Sequence, residues 1–206
     1  MLKRLAYRIL NVPPVWIAFQ YLVGANQWKS AMYPSVFTSR GRLLDFGCSM
    51  GNTTEHFLDF DYTGVDLDAT MIEAARERWK AHPNVRFECG DILAMPEKRG
   101  RFDHVLFAAA GHHLPDAQMP PIIEALLGML RPGGELHFFD PLSQPGKDRF
   151  TTRLILRNDQ GKFMRTPAQY DAMFAPYPVV ERRIFPSPDG KLVKLQDMLY
   201  LRLRKA

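Results

Sequence analysis

The stretch LLDFGCSMGNTT, residues 43–54, carries two chemistries at once. Gly47-Cys48-Ser49-Met50-Gly51 fits G-x-S-x-G, the sharp strand-to-helix turn that exposes a nucleophilic serine. The same residues fit an apolar strand that ends in an acid, Asp45, and runs into a glycine-flanked turn. A turn of that kind lets bare backbone pass close to a nucleotide-like ligand. Position decides between the two. The motif lies on what reads as the first strand, whereas a serine elbow follows a strand near the middle of its chain. A serine hydrolase of that type also wants acid and then histidine after the nucleophile. None of His104, His112, His113 and His137 falls on a late loop after a final strand. Ser49 is therefore read as a small residue at a close approach, not as a nucleophile.

Asp66 closes the next strand, about 20 residues beyond the loop, where a carboxylate can accept from both hydroxyls of a ribose. A dinucleotide is disfavoured, because G-x-G-x-x-G would need glycine at the positions of Ser49 and Asn52. His112 and His113 follow an apolar strand, at the carboxyl edge where ligands bind in parallel sheets. A neutral imidazole there could take a proton from a hydroxyl or an amine.

The elements that must position these groups alternate regularly. RLLDFG, YTGVDL, NVRFECGD, FDHVLFAAA and ELHFFD read as five short buried strands. Between them, NTTEHFLDF, DATMIEAARERWKAH and MPPIIEALLGML read as helices. Asp68 caps the second, which presents Met71, Ile72, Ala75 and Trp79 on one face; Pro132-Gly133-Gly134 stops the third. This rhythm predicts βαβ units and a doubly wound, mostly parallel α/β sheet. Later, RTPAQYDAMFAPY is a helix with Thr166 at its cap and Pro167 in its first turn, and PVVERRIF and DMLYLRLR form a terminal antiparallel hairpin at the sheet edge. Residues 1–38 read as broken helices, interrupted at Pro13-Pro14, closed at Gly24 and broken again at Pro34. The chain is thus expected to be one domain: a helical cap or lid at 1–40, a ligand-binding core at 41–141, and a substrate-side segment with the hairpin at 142–206.

With 206 residues, 46% of them hydrophobic, one globular core is the default. Two cysteines, Cys48 and Cys89, make no disulfide framework, and a cytoplasmic setting is expected. The apolar run VPPVWIAFQYLVGA is too short to span a bilayer, and the basic MLKRLAYRIL lacks a cleavage site after it. The net charge of +5 is unevenly distributed. No acid occurs before Asp45, while Lys3, Arg4, Arg8, Lys29, Arg40 and Arg42 do, and Arg149, Arg153, Arg157, Lys162 and Arg165 face Asp159 alone. These flanks also carry aromatics, such as Trp16, Trp28, Phe163 and Tyr170, which favours an acceptor with an apolar body and an anionic group.

Taken in order, LLDFGCSMG, YTGVDLD, FECGDILAMP, FDHVLFAAAGHHLPD and LRPGGELHFFDP resemble the successive motifs of the class I S-adenosylmethionine-dependent methyltransferases, bacterial small-molecule type. The departure is Ser49, where the family's first motif has glycine. The resemblance implies a seven-stranded Rossmann-like sheet, S-adenosyl-L-methionine as cofactor and S-adenosyl-L-homocysteine as product. It places Gly47, Cys48, Ser49 and Gly51 along the methionine part of the cofactor, Asp45 near its ammonium, Asp66 on the ribose with Leu67 against the adenine, Asp91 at the adenine amino group with Ile92 beside the ring, and Ala108 on the fourth-strand side. Either His113 or His112 is the candidate base. No metal is implied, since Asp140 precedes Pro141 without the Asp-Asn pair of catechol-type enzymes. AAAG replaces the tetrad of enzymes that methylate base amines, neither cysteine is placed as a cytosine-attacking nucleophile, and a paired-glutamate loop is absent. The expected acceptor is therefore an O or N atom of a small molecule. Other readings are a lipid-linked, sugar or RNA acceptor, the last resting only on a pI near 9.3. A peripheral membrane module that keeps the fold without turnover, docking through the basic and aromatic residues 2–24, is the remaining one.

Overall fold

The computed structural model describes residues 25–144, 162–187 and 196–206. Seven strands form one sheet: β1 (Arg42–Phe46), β2 (Asp61–Asp66), β3 (Val85–Cys89), β4 (Phe102–Ala108), β5 (Leu130–Pro141), β6 (Val179–Phe185) and β7 (Met198–Arg204). Their order is β3-β2-β1-β4-β5-β7-β6. β1 to β5 pair in parallel, and β7 is antiparallel to both β5 and β6. The last strand of the chain therefore lies inside the sheet, and β6 is the edge. Between β1 and β4 the chain reverses its direction of travel across the sheet, and parallel sheets bind ligands at that switch point.

Because neighbouring residues of a strand point to opposite faces, the sheet builds two cores. Leu44, Val105, Phe107, Leu136 and Phe138 pack on one face under α3 (Met119–Met129) and α4 (Pro167–Phe174). Leu43, Tyr62, Leu106, Phe139 and Tyr200 pack on the other, under α1 (Ala25–Met32) and α2 (Ala69–Trp79). α2 starts where expected, with the Asp68 carboxylate accepting from the Thr70 and Met71 amides, and it buries Ile72 and Ala75. Thr166 and Gln169 form a reciprocal capping box at the head of α4, with Pro167 in its first turn.

Three expectations are corrected or limited. Residues 52–60 are not a helix; only Thr54–His56 make a single 3-10 turn. Asn and Thr side chains compete with helical backbone bonding, and here the Thr53 hydroxyl is committed to Asp45. The third helix ends at Met129, ahead of Pro132-Gly133-Gly134, because Leu130 turns extended and pairs with Phe102 to open β5. The breaks at Pro13-Pro14 and Gly24 lie outside the described residues, as does most of the turn between β6 and β7. What is described of the N-terminal region is α1 and a 3-10 turn at Tyr33–Ser35, with Met32, Tyr33, Val36 and Phe37 buried against the sheet. No described helix is long and apolar enough to cross a membrane.

Candidate active site

The loop after β1 turns through three left-handed residues, Gly47 (φ 74°), Ser49 (φ 49°) and Gly51 (φ 73°). A Cβ on Gly47 would stand 2.9 Å from that of Ala110, so the turn after β4 rests directly on this loop. A Cβ on Gly51 would meet the Trp79 indole nitrogen at 2.5 Å. Ser49 is not glycine and still adopts the left-handed region, which costs on the order of 1 kcal/mol or more. Its amide donates to Asp66 Oδ2 at 2.9 Å, which helps hold it there. The second described non-glycine residue with positive φ is Ala109 (φ 53°), just after β4. Both residues thus flank the switch point between β1 and β4, where a ligand is expected.

Asp66 ends β2 with each carboxylate oxygen accepting one backbone amide, Oδ2 from Ser49 and Oδ1 from Asp68. Each oxygen keeps a second lone pair for a further donor. Beside it Leu67 is 72% exposed. Asp91 caps the 3-10 turn Ile92–Ala94 through its bond from the Leu93 amide at 3.0 Å. In that turn Ile92 is buried in the core, and Leu93 is the apolar side chain left open.

Asp45 is buried, and its Oδ2 accepts from the Thr53 hydroxyl and the Tyr62 phenol, both at 2.5 Å. Burial pushes its carboxyl up to about 6, against the pull of those two bonds and of the Lys29 charge. Burial likewise brings Lys29, on α1, down to about 8. Cys48 is buried over Gly64, and burial raises its thiol well above the usual range, so it is no nucleophile at neutral pH.

Across the switch point, Gly111–His113 form a 3-10 turn after β4 in which His112 is buried and His113 exposed. His112 Nδ1 lies 2.9 Å from Asp140 Oδ1, at the far end of β5. The Tyr170 hydroxyl donates to the other oxygen of the same carboxylate. Arg165 is 3% exposed. It donates from Nε to Asp116 at 2.8 Å, from Nη1 to the Gly111 carbonyl at 3.0 Å and from Nη2 to that of Leu114 at 2.6 Å. It also lies 5.6 Å from the centre of the Tyr170 ring. The structure therefore corrects one expectation: Arg165 braces the turn that carries His112 and presents no open cation to an anionic acceptor. The Arg4 and Arg8 positions lie outside the described residues.

A methyltransferase domain model matches residues 43–134. The chain is 36% identical over 118 residues to protein-L-isoaspartate O-methyltransferase 2 of Rhodopseudomonas palustris, covering 56% of this chain and 48% of that one. It is 30% identical over 148 residues to trans-aconitate 2-methyltransferase of Sinorhizobium medicae, covering 63% and 54%. The structure of N-methyltransferase NodS from Bradyrhizobium japonicum with S-adenosyl-L-homocysteine aligns with a TM-score of 0.65 at 21% identity, over 87% of this chain and 86% of that one. Residues 43–134 thus match a methyltransferase domain, and the chain resembles the class I S-adenosylmethionine-dependent methyltransferases. It spans about half the length of the two curated relatives.

Within this methyltransferase fold, the loop residues, Asp45 and Asp66 gather at the ends of β1 and β2, Asp91 and Ile92 follow β3, Ala108 ends β4, and His112 and His113 follow it. Three features of this edge were not foreseen: the bonds of Asp140 and of Tyr170, and the exposure of Leu93. Asp140 and Tyr170 stand 28 and 30 residues along the chain from their partners, so spacing carried no signal for them. Leu93 could have been found, since the residue after Ile92 in a capped turn points the other way. Among the described residues His104, Glu135 and His137 form a further group with metal-ligand atoms. Its carboxylate is held by Arg202 and Arg204, and its imidazoles bond to one another.

Proposed function

We propose that this chain transfers a methyl group from S-adenosyl-L-methionine to a protic O or N atom of a small molecule, releasing S-adenosyl-L-homocysteine. The single observation that carries the reading is the meeting, at the β1–β4 switch point, of a left-handed loop with the turn that holds the His112–Asp140 pair. The residues fit the cofactor. A loop without bulk at 47 and 51, the second lone pairs of Asp66, and exposed Leu67 and Leu93 suit an amino-acid tail, a ribose and an adenine in turn. Asp45 and Cys48 would lie under the tail, Asp91 would accept from the adenine amino group with Ile92 behind it, and Ala108 would line the fourth-strand side. When bound, the cofactor supplies a methyl group on a sulfonium, which an in-line nucleophile can displace.

The protein's share is placement, exclusion of water and custody of one proton. With Nδ1–H donated to Asp140, His112 carries its lone pair on Nε2 and takes the proton that the acceptor atom loses. His113, exposed beside it with ring centres 4.2 Å apart, is the other candidate for that proton. Relatives named for trans-aconitate support a small acceptor. The excess of basic residues in the flanks of the sequence favours an anionic group on it.

The test is transfer of radiolabelled methyl to a panel of small hydroxyl, amine and carboxylate compounds, by wild type and His112→Gln. The expected result is labelling of hydroxyls or amines, reduced about 10²- to 10⁴-fold in His112→Gln. Labelling of carboxylates alone, unchanged in the variant, would remove the proton-accepting role, since an ionised carboxylate needs no base.

A further inference from the structure

In a doubly wound fold the glycine loop after the first strand normally runs into a helix, whose first turn anchors the loop's far end. This chain lacks that helix and has one 3-10 turn in its place. The near end of the loop is fixed by the Gly47 and Cys48 amides, which donate to the Val65 carbonyl at 2.8 and 3.2 Å, and the middle by the Ser49–Asp66 bond. The far end is fixed from a different element. Trp79, the last residue of α2, donates its indole N–H to the Gly51 carbonyl at 3.1 Å, and Arg78 reaches the same oxygen at 3.5 Å. The indole also occupies the space where a Gly51 Cβ would stand. Arg78 lies 4.9 Å from the centre of that ring and braces it from outside.

We propose that Trp79 is a positioning residue for the cofactor, standing in for the missing helix by clamping the exit of the glycine loop. α2 then controls both halves of the site. Its head, through Asp68, donates to the Asp66 carboxylate, and its tail, through Trp79, sets the loop. A purely apolar residue at 79 would fill the same core position while leaving the Gly51 carbonyl without its best-placed donor. The left-handed Gly51 would then sample other conformations, and the loop would no longer be preorganised for its ligand.

This assignment rests on the proposed cofactor role, and the experiment separates the two. S-adenosyl-L-homocysteine is titrated calorimetrically into wild type and Trp79→Phe, alongside thermal melts of both. A Trp16→Phe/Trp28→Phe protein, in which Trp79 is the one remaining tryptophan, is titrated by fluorescence. The expected results are a Kd raised about three- to tenfold in Trp79→Phe, the worth of one neutral hydrogen bond, and a saturable change in Trp79 emission with the calorimetric Kd. Wild type that fails to bind would defeat the cofactor reading itself. Wild type that binds, with Trp79→Phe binding equally well, would overturn the clamp alone. Should Trp79→Phe fail to fold, the emission of Trp79 decides: unchanged on saturation, it also overturns the clamp.

Discussion

β4 and β5 carry two buried histidine clusters whose surroundings set them to opposite tasks. In the middle of the sheet, His104 Nδ1 and His137 Nε2 lie 3.2 Å apart, with Ser39 Oγ 3.1 Å from the outer nitrogen of one and the Tyr200 hydroxyl 3.0 Å from that of the other. Phe37 stacks on His137 at 3.9 Å. This row of hydroxyls and imidazoles alternates donor and acceptor, and the Glu135 carboxylate, 3.8 Å from His137 Nε2, is turned to Arg202 and Arg204. Burial holds His104 below, and His137 well below, the ordinary imidazole range. At the carboxyl end of the same strands, His112 faces a carboxylate that Tyr170 steadies from its other oxygen. A carboxylate there fixes the tautomer and stabilises the imidazolium that forms on proton uptake. Under the proposed function, the difference teaches that a buried histidine tied to other imidazoles and hydroxyls is held neutral, whereas one bonded to an oriented carboxylate is set up as a base.

The sharpest way to break that contrast is to turn the active-site cluster into a neutral one. Asp140→Asn keeps the shape and can still bond Tyr170, but it favours the wrong His112 tautomer and removes the counter-charge. Methyl transfer should fall about 10²- to 10⁴-fold, while S-adenosyl-L-homocysteine affinity stays within about twofold, less than one hydrogen bond. Steady-state kinetics and calorimetry on the one variant check both halves. Equal activity would mean that the carboxylate serves only to dock α4.

The core cluster should answer to pH instead of to turnover. His104 and His137 have folded pKa values below 6.5, so the unfolded chain binds more protons and stability is lost as pH falls below that value. Asp45 acts in the opposite sense. Raised to about 6 from 3.8, it favours the folded state progressively as pH falls through that window. Denaturant midpoints measured from pH 7.5 down to 5 should decline for wild type and decline less for His137→Asn. They should decline more steeply for Asp45→Asn, which removes the compensating group. A midpoint flat across this range in wild type and His137→Asn alike would contradict neutral burial of the pair.

How much of this was legible follows from the reach of each signal. The strands, the Asp68 cap and the Thr166-Pro167 start were readable because hydrophobic runs and caps act within a few residues. The glycine loop, Asp66 and the histidine pair were readable because they sit at strand ends, where type and position coincide. The helix expected at 52–60 failed because the Thr53 hydroxyl serves a partner on β1, which local pattern cannot see. Trp79 was placed correctly on the buried side of α2, but the use of its N–H at Gly51, 28 residues back, belongs to tertiary structure. Arg165 read as a surface cation from charge pattern, and the fold turned it inward to serve carbonyl oxygens.

The central claim is that the 47–51 loop and Asp66 bind the adenosyl cofactor. Its most direct measurement is calorimetric titration of S-adenosyl-L-homocysteine into wild type and Asp66→Ala. Saturable one-to-one binding is expected for wild type, weakened about 10- to 100-fold in Asp66→Ala by the loss of bonds to a charged acceptor. No heat from wild type at saturating ligand, or the same affinity in both proteins, would contradict it.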